Sequence, residues 1–118
     1  MLHFDICEFD SPDEKGSGSR MQPSTLQMLD DARGIAGIPF KINSGFRTKE
    51  KNLKIGGVRD SAHLYGYAAD IHCADSTRRA IIIDALREAG FKRLGVANTF
   101  IHCDNDPEKS PAACMWLY

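Results

Sequence analysis

No stretch of this sequence is long and apolar enough to cross a bilayer as a helix. No two cysteines are spaced Cys-x-x-Cys, which removes the usual framework of a cysteine-rich structural zinc site. A basic, apolar leader is also missing, because Met1 to Asp10 carries Asp5, Glu8 and Asp10. No secretory signal is read there, so the expectation is synthesis in the cytoplasm. On that ground Cys7, Cys73, Cys103 and Cys114 are expected as free thiols rather than two disulfides. Charge of one sign is not in excess either: the formal net charge is -1, and no aromatics interleave with the scattered basic residues. This argues against nucleic acid as a partner and against attraction to an anionic membrane. There is no internal repeat.

The 118 residues suit one domain, 1–118. An apolar fraction of 42% against 26% charged residues is enough for a modest core without disulfides. Phe4, Ile6 and Phe9 suggest a short segment tucked on that core, and Ser11 to Arg20, rich in Ser, Gly and charge, reads as a flexible loop. Pro23 to Ala36 reads as a helix, with Pro23 in the first turn and Leu26, Leu29, Ala32 and Ala36 near one face. Pro39 to Asn43 is a short strand candidate and Thr48 to Lys54 a short helix. Ser61 to Gly66 is a loop before a strand, Tyr67 to Cys73. Asp75 or Ser76 caps a helix running to about Ala89, and Gly90 closes it. Phe91 to Asp104 reads as two short strands around a turn near Ala97-Asn98, and a tail with Trp116 and Tyr118 packs back on the body. Helices and strands mixed without a βαβ rhythm predict an α+β fold.

Catalytic zinc sites use imidazole nitrogen and carboxylate oxygen, with three protein ligands and one open position. His63 and Asp70 bracket a glycine turn that lets a loop histidine fold back toward a strand carboxylate, and His102 lies in the apolar-flanked run Phe100 to Cys103. Strand alternation places Ala68, Asp70 and His72 on one face and Ile71 and Cys73 on the other. In the second segment His102 and Asp104 share a face. If the two strands are neighbours, Asp70, His102 and Asp104 meet in one cleft. His72 shares the face, but a fourth protein ligand would close the metal, so it reads as a nearby or surface histidine. Asp104, Asp106, Glu108 and Lys109 read as a solvated turn.

The run Ser61-Ala-His-Leu-Tyr-Gly-Tyr-Ala-Ala-Asp70 resembles the SxHxxGxAxD motif of the M15 metallopeptidases, the D-alanyl-D-alanine carboxypeptidase and L-alanyl-D-glutamate endopeptidase group. Ser44-Gly-Phe-Arg-Thr48 resembles their SGxR segment, Asn52 with Gly56-Gly57 fits the stretch after that segment, and Phe100-Ile-His-Cys-Asp104 is similar to their terminal zinc-histidine strand. Glu8-Phe9 and Pro12 resemble the N-terminal segment. The resemblance implies a fold shared with Hedgehog signalling domains, a small antiparallel sheet flanked by helices with zinc in a cleft. It implies one zinc per chain on His63, Asp70 and His102, Arg47 on the substrate or its developing oxyanion, and Ser61 at the substrate. Many of the wider group carry a general-base carboxylate three residues before the last zinc histidine. Here that position is Thr99, and Asp104 is the expected replacement, its alternative role being to orient a ligand.

The function so implied is zinc-dependent hydrolysis of a peptide bond in peptidoglycan stem peptides, by a carboxypeptidase or endopeptidase. A phage lysis protein or a bacterial enzyme would suit, acting on the cell wall after release and without membrane insertion. A monomer is expected. The rival is a zinc-binding domain of the same fold without catalysis, for which Thr99 is the main support.

Overall fold

Alternation of side chains gives the central strands of this protein one buried, apolar face and one polar face. The computed structural model describes residues 1–118. Its strands are β1 (Ile42–Ser44), β2 (Ala68–His72), β3 (Arg93–Val96), β4 (Phe100–Asp104) and β5 (Cys114–Leu117). They form one sheet in the order β1-β2-β4-β3-β5. All neighbours are antiparallel except β3 and β5, which run parallel. The helices are α1 (Pro23–Ala36), α2 (Lys49–Lys54) and α3 (Ser76–Glu88), and short 3₁₀ turns cover Ile6–Phe9, Ser17–Arg20 and Ala62–Tyr65. The fold is α+β.

The dry face holds Ala69 and Ile71 of β2, Ile101 and Cys103 of β4, and Leu94 of β3, all buried. Leu29 and Ala32 of α1 and Ile82, Ala85 and Leu86 of α3 join them in one apolar cluster of 17 buried residues. The two helices pack on each other as well as on the sheet. Both have local reasons to start and stop where they do. Proline opens α1 and left-handed Gly37 (φ +68°) ends it. The Asp75 carboxylate accepts from the Arg78 amide to cap α3. With the helices on one face, the opposite face is left open, and it carries the polar residues.

Three expectations need correction. The Ser11 to Arg20 stretch is not a loose loop. Ser11 and Ser17 are buried, and the Ser11 amide donates to Ser17 Oγ at 2.7 Å. Asp10 accepts from the amides of Gly16 and Gly18, and Asp13 accepts from the hydroxyls of Ser11 and Thr48. Short polar side chains and glycines, which composition alone reads as flexible, here saturate the backbone of a tight folded segment. The tail does more than pack back: it adds β5 at the edge of the sheet, and its parallel pairing follows from the long excursion after β4. Phe4 and Phe9 are buried as expected, whereas Ile6 stays exposed.

Candidate metal centre

Register across the sheet brings the chemistry into one transverse row. Ser44 pairs with Asp70, Asp70 with His102, His102 with Gly95, and Gly95 with Trp116. Asp70 and His102, 32 residues apart in sequence, thus stand side by side on the wet face. His63 arrives from the 3₁₀ turn just before β2. That turn is capped by Ser61, whose Oγ accepts from the His63 amide, and it ends at Gly66, where φ is +77°. A Cβ on Gly66 would also fall 2.4 Å from the Arg20 carbonyl oxygen, so glycine is required twice over.

The ligand-capable atoms of His63, Asp70 and His102 lie within 4.8 Å of one another. Their orientation is held from behind. His63 Nδ1 sits 2.8 Å from the Gly45 carbonyl, which makes it the donor there and leaves Nε2 facing Asp70 Oδ1 at 3.3 Å. His102 Nε2 is 2.7 Å from Asp104 Oδ2, and Nδ1 is 2.9 Å from Asp70 Oδ1. Each imidazole therefore has one nitrogen anchored and the other turned to the same point. Two oriented imidazoles and one carboxylate are a donor set suited to a divalent metal of zinc type. His72, on the same face of β2, is exposed and lies outside this group.

Electrostatics follow from these contacts. Burial opposes the charge of Asp70, yet hydrogen bonds and charge from His102 and His63 pull its carboxyl well below the usual range. Burial also opposes the His102 imidazolium, but Asp104 and Asp70 outweigh it and raise the pKa. Asp104 is buried too, and His102 with Arg93 holds it ionised below the ordinary carboxylate value.

Arg47 reaches the site from the turn after β1. Its Nη1 donates to Asn52 Oδ1 at 3.0 Å, its Nη2 donates to Ser44 Oγ at 3.1 Å, and Nη2 lies 3.8 Å from Asp70 Oδ2. Asn52 Nδ2 donates in turn to the Val58 carbonyl. Gly57 has to lack a side chain, since a Cβ there would stand 2.1 Å from Asn52 Oδ1. The Ser44-to-Arg47 and Asn52-to-Gly57 motifs thus build one holder for one guanidinium.

Asp104, expected as base or as orienting partner, and Ser61, expected at the substrate, both make contacts within the site. Both Asp104 oxygens are engaged, Oδ2 by His102 and Oδ1 by Arg93 Nε at 2.9 Å. That geometry suits a residue that orients His102 better than one that collects protons. Ser61 lines the cleft, and its Oγ accepts from the His63 amide, which leaves its hydroxyl proton free to donate. Three contributors escape the sequence pattern. Arg93 anchors Asp104. The Trp116 ring, read as packing, lies 5.4 Å from the His102 ring and 5.3 Å from the Arg93 guanidinium. Tyr118 lines the same cleft. The alternation Cys114, Trp116, Tyr118 is their available signal, but it says nothing about which strand β5 joins. The cleft has a volume of about 600 Å³ and contains no carboxylates other than Asp70 and Asp104.

The sequence matches the family model described as Peptidase M15 over residues 3–104. Among curated proteins it is similar to the zinc D-Ala-D-Ala carboxypeptidase of Streptomyces albus G, with 29% identity over 104 residues, 79% of this chain and 40% of that relative. The chain spans about two fifths of the length of this curated relative.

Proposed function

The chain belongs to the M15 peptidase family, and from this we propose that it is a zinc peptidase that hydrolyses a peptide bond in the stem peptides of peptidoglycan. The observation that carries the reading is the convergence of His63 Nε2, Asp70 and His102 Nδ1 beside Arg47 in an open cleft. His63, Asp70 and His102 would hold one zinc ion per chain. Zinc, when bound, lowers the pKa of water and polarises a scissile carbonyl.

The protein's own residues do the rest. The Gly45 carbonyl and Asp104 keep the two imidazoles in the tautomer and orientation that leave His63 Nε2 and His102 Nδ1 free. Arg47, preset by Ser44 and Asn52, offers a planar fork to a substrate carboxylate or to the oxyanion of a tetrahedral intermediate. Both carboxypeptidase and endopeptidase cleavage fit this arrangement. The setting we favour is the cell wall after release of a monomeric protein, as for a phage lysis enzyme.

One observation supports a second reading, a zinc-binding domain that does not hydrolyse. Thr99 brings no carboxylate, and Asp104, held ionised by His102 and Arg93, is a weak proton acceptor. Incubating zinc-loaded protein with peptidoglycan fragments and identifying products by mass spectrometry separates the two. Chelator-sensitive cleavage is expected, with loss of both zinc and products in His63→Ala and His102→Ala. Intact fragments beside stoichiometric zinc would leave the binding domain as the reading.

A further inference from the structure

We propose that β5 supplies a peptide-binding wall of the cleft, with Trp116 as a fixed platform and the Tyr118 hydroxyl as a hydrogen-bond donor to the bound peptide. The proposal rests on the reading that this cleft takes a stem peptide. It concerns residues beyond 104, where the family match ends.

The sheet makes room for this wall at one point. Gly95 stands between His102 and Trp116 in the transverse row. A Cβ at Gly95 would lie 2.6 Å from the Trp116 ring and 2.7 Å from the Tyr118 ring, so neither aromatic could keep its place beside any other residue. Through that gap the indole leans over the sheet until it meets the His102 ring at 5.4 Å, with Arg93 packed against it at 5.3 Å. Tyr118 continues the ladder, its amide donating to the Val96 carbonyl. Its ring packs on Phe100 at 5.1 Å and on Trp116 at 6.3 Å.

The result is an aromatic surface joined directly to a candidate metal ligand. Arg47 enters the cleft from the β1 edge of the sheet and Tyr118 from the β5 edge. A peptide whose scissile carbonyl lies at the His63, Asp70 and His102 group would cross both. Tyr118 is largely exposed although its ring packs on Phe100 and Trp116, so its hydroxyl is within reach of a bound peptide. An ordinary phenol keeps its proton at neutral pH, which is what donation requires. Donation keeps the proton on Tyr118, and no bond is broken there.

Trp116 is the only tryptophan, so its emission reports on this wall directly. The test uses zinc-loaded protein and a synthetic peptide ending in D-Ala-D-Ala, with emission titrations and cleavage kinetics on the same samples. A saturable emission change is expected in the parent protein. Tyr118→Phe is expected to weaken peptide binding and raise KM about fivefold while kcat, zinc content and Tm hold, as for loss of one hydrogen bond shared by ground and transition states. Tyr118→Ala is expected to weaken binding further. Parental binding and KM in both variants, or cleavage without any change in Trp116 emission, would overturn the wall while leaving the peptidase reading intact. Saturable binding that responds to both substitutions, with no cleavage by the parent protein, would sustain the wall and remove the activity. Neither binding nor cleavage would remove both.

Discussion

The Arg47 guanidinium is held by two neutral oxygens, those of Asn52 and Ser44, and only at 3.8 Å by the Asp70 carboxylate. A residue kept mainly for its charge would be expected to sit closer to its anion. Arg47→Lys is therefore expected to keep zinc and fold but lose more than tenfold in kcat/KM, about 1.4 kcal/mol of transition-state stabilisation. Normal catalysis beside a lowered Tm would instead give Arg47 a purely structural part. Asp104 presents a sharper choice. If it orients His102, Asp104→Asn should weaken zinc binding by about 10- to 100-fold, read by competition with a chromophoric chelator. If it is the base, metal affinity should hold while kcat collapses. The pH dependence of metal binding follows from His102, whose pKa is raised by Asp104 and Asp70 in the metal-free protein. A ligand histidine must be neutral, and His102 is protonated below its raised pKa. Apparent zinc affinity should thus fall as pH drops, by about one decade per pH unit from this group, and level off only above the ordinary histidine range. A flat profile between about pH 5 and 7 would exclude His102 Nδ1 as a ligand atom.

At the level of elements, work is divided between the two faces of the sheet. Helices α1 and α3 close the dry face, while the wet face is served by short turns that place one side chain each. Asp75→Ala removes the cap of α3 on the side away from the cleft. It should cost about 1 kcal/mol and lower Tm by roughly 4 °C, with zinc binding and kinetics unchanged. Thermal melts and metal titrations on this variant check both halves of the statement, and a changed zinc affinity would show that α3 is coupled to the site. Pro23, Gly37, Asp75 and the apolar spacing of Leu29, Ala32, Ile82 and Leu86 act within a few residues of chain, so α1 and α3 are readable from sequence with bounds close to those observed. Strand β5 is not readable in this way. Four consecutive apolar residues, Cys114 to Leu117, satisfy many partners, and only pairing with β3 makes them a strand.

Over the whole molecule, the apolar cluster of 17 residues lies behind the sheet and does not depend on the metal group in front of it. Chelation is therefore expected to leave the far-ultraviolet circular dichroism spectrum intact. It should still lower Tm, because zinc binds the folded state: at about 100 times its Kd the ion adds about 2.7 kcal/mol. Unfolding on chelation would mean that the site is structural, as in small zinc-dependent domains. Two histidines and two carboxylates, with Arg47 and Arg93 at their flanks, bring near balance of charge to the metal-free cleft. This balance is the physical reason a folded metal-free protein is expected at neutral pH.

His63 and Asp70 are open to reading from one-dimensional pattern because their constraint is local, whereas His102 joins them in the sequence only through the family resemblance. A histidine, a turn glycine and a strand carboxylate within about ten residues have few ways to fold back on each other, and two-residue alternation assigns Asp70, His102 and Asp104 to faces without knowledge of the partner strand. What alternation does not carry is register, neighbour order or the path of an oxygen. Only the pairing of β2 with β4 sets Asp70 opposite His102, and only the β3–β4 pairing sets Arg93 opposite Asp104, where its guanidinium holds one carboxylate oxygen while His102 meets the other. Gly95 reads in sequence as an ordinary strand glycine. In the sheet it is the gap through which Trp116, from a strand that begins only at Cys114, reaches the candidate metal centre. Contacts of that range depend on burial and pairing summed over the whole chain, and no short stretch of sequence contains them.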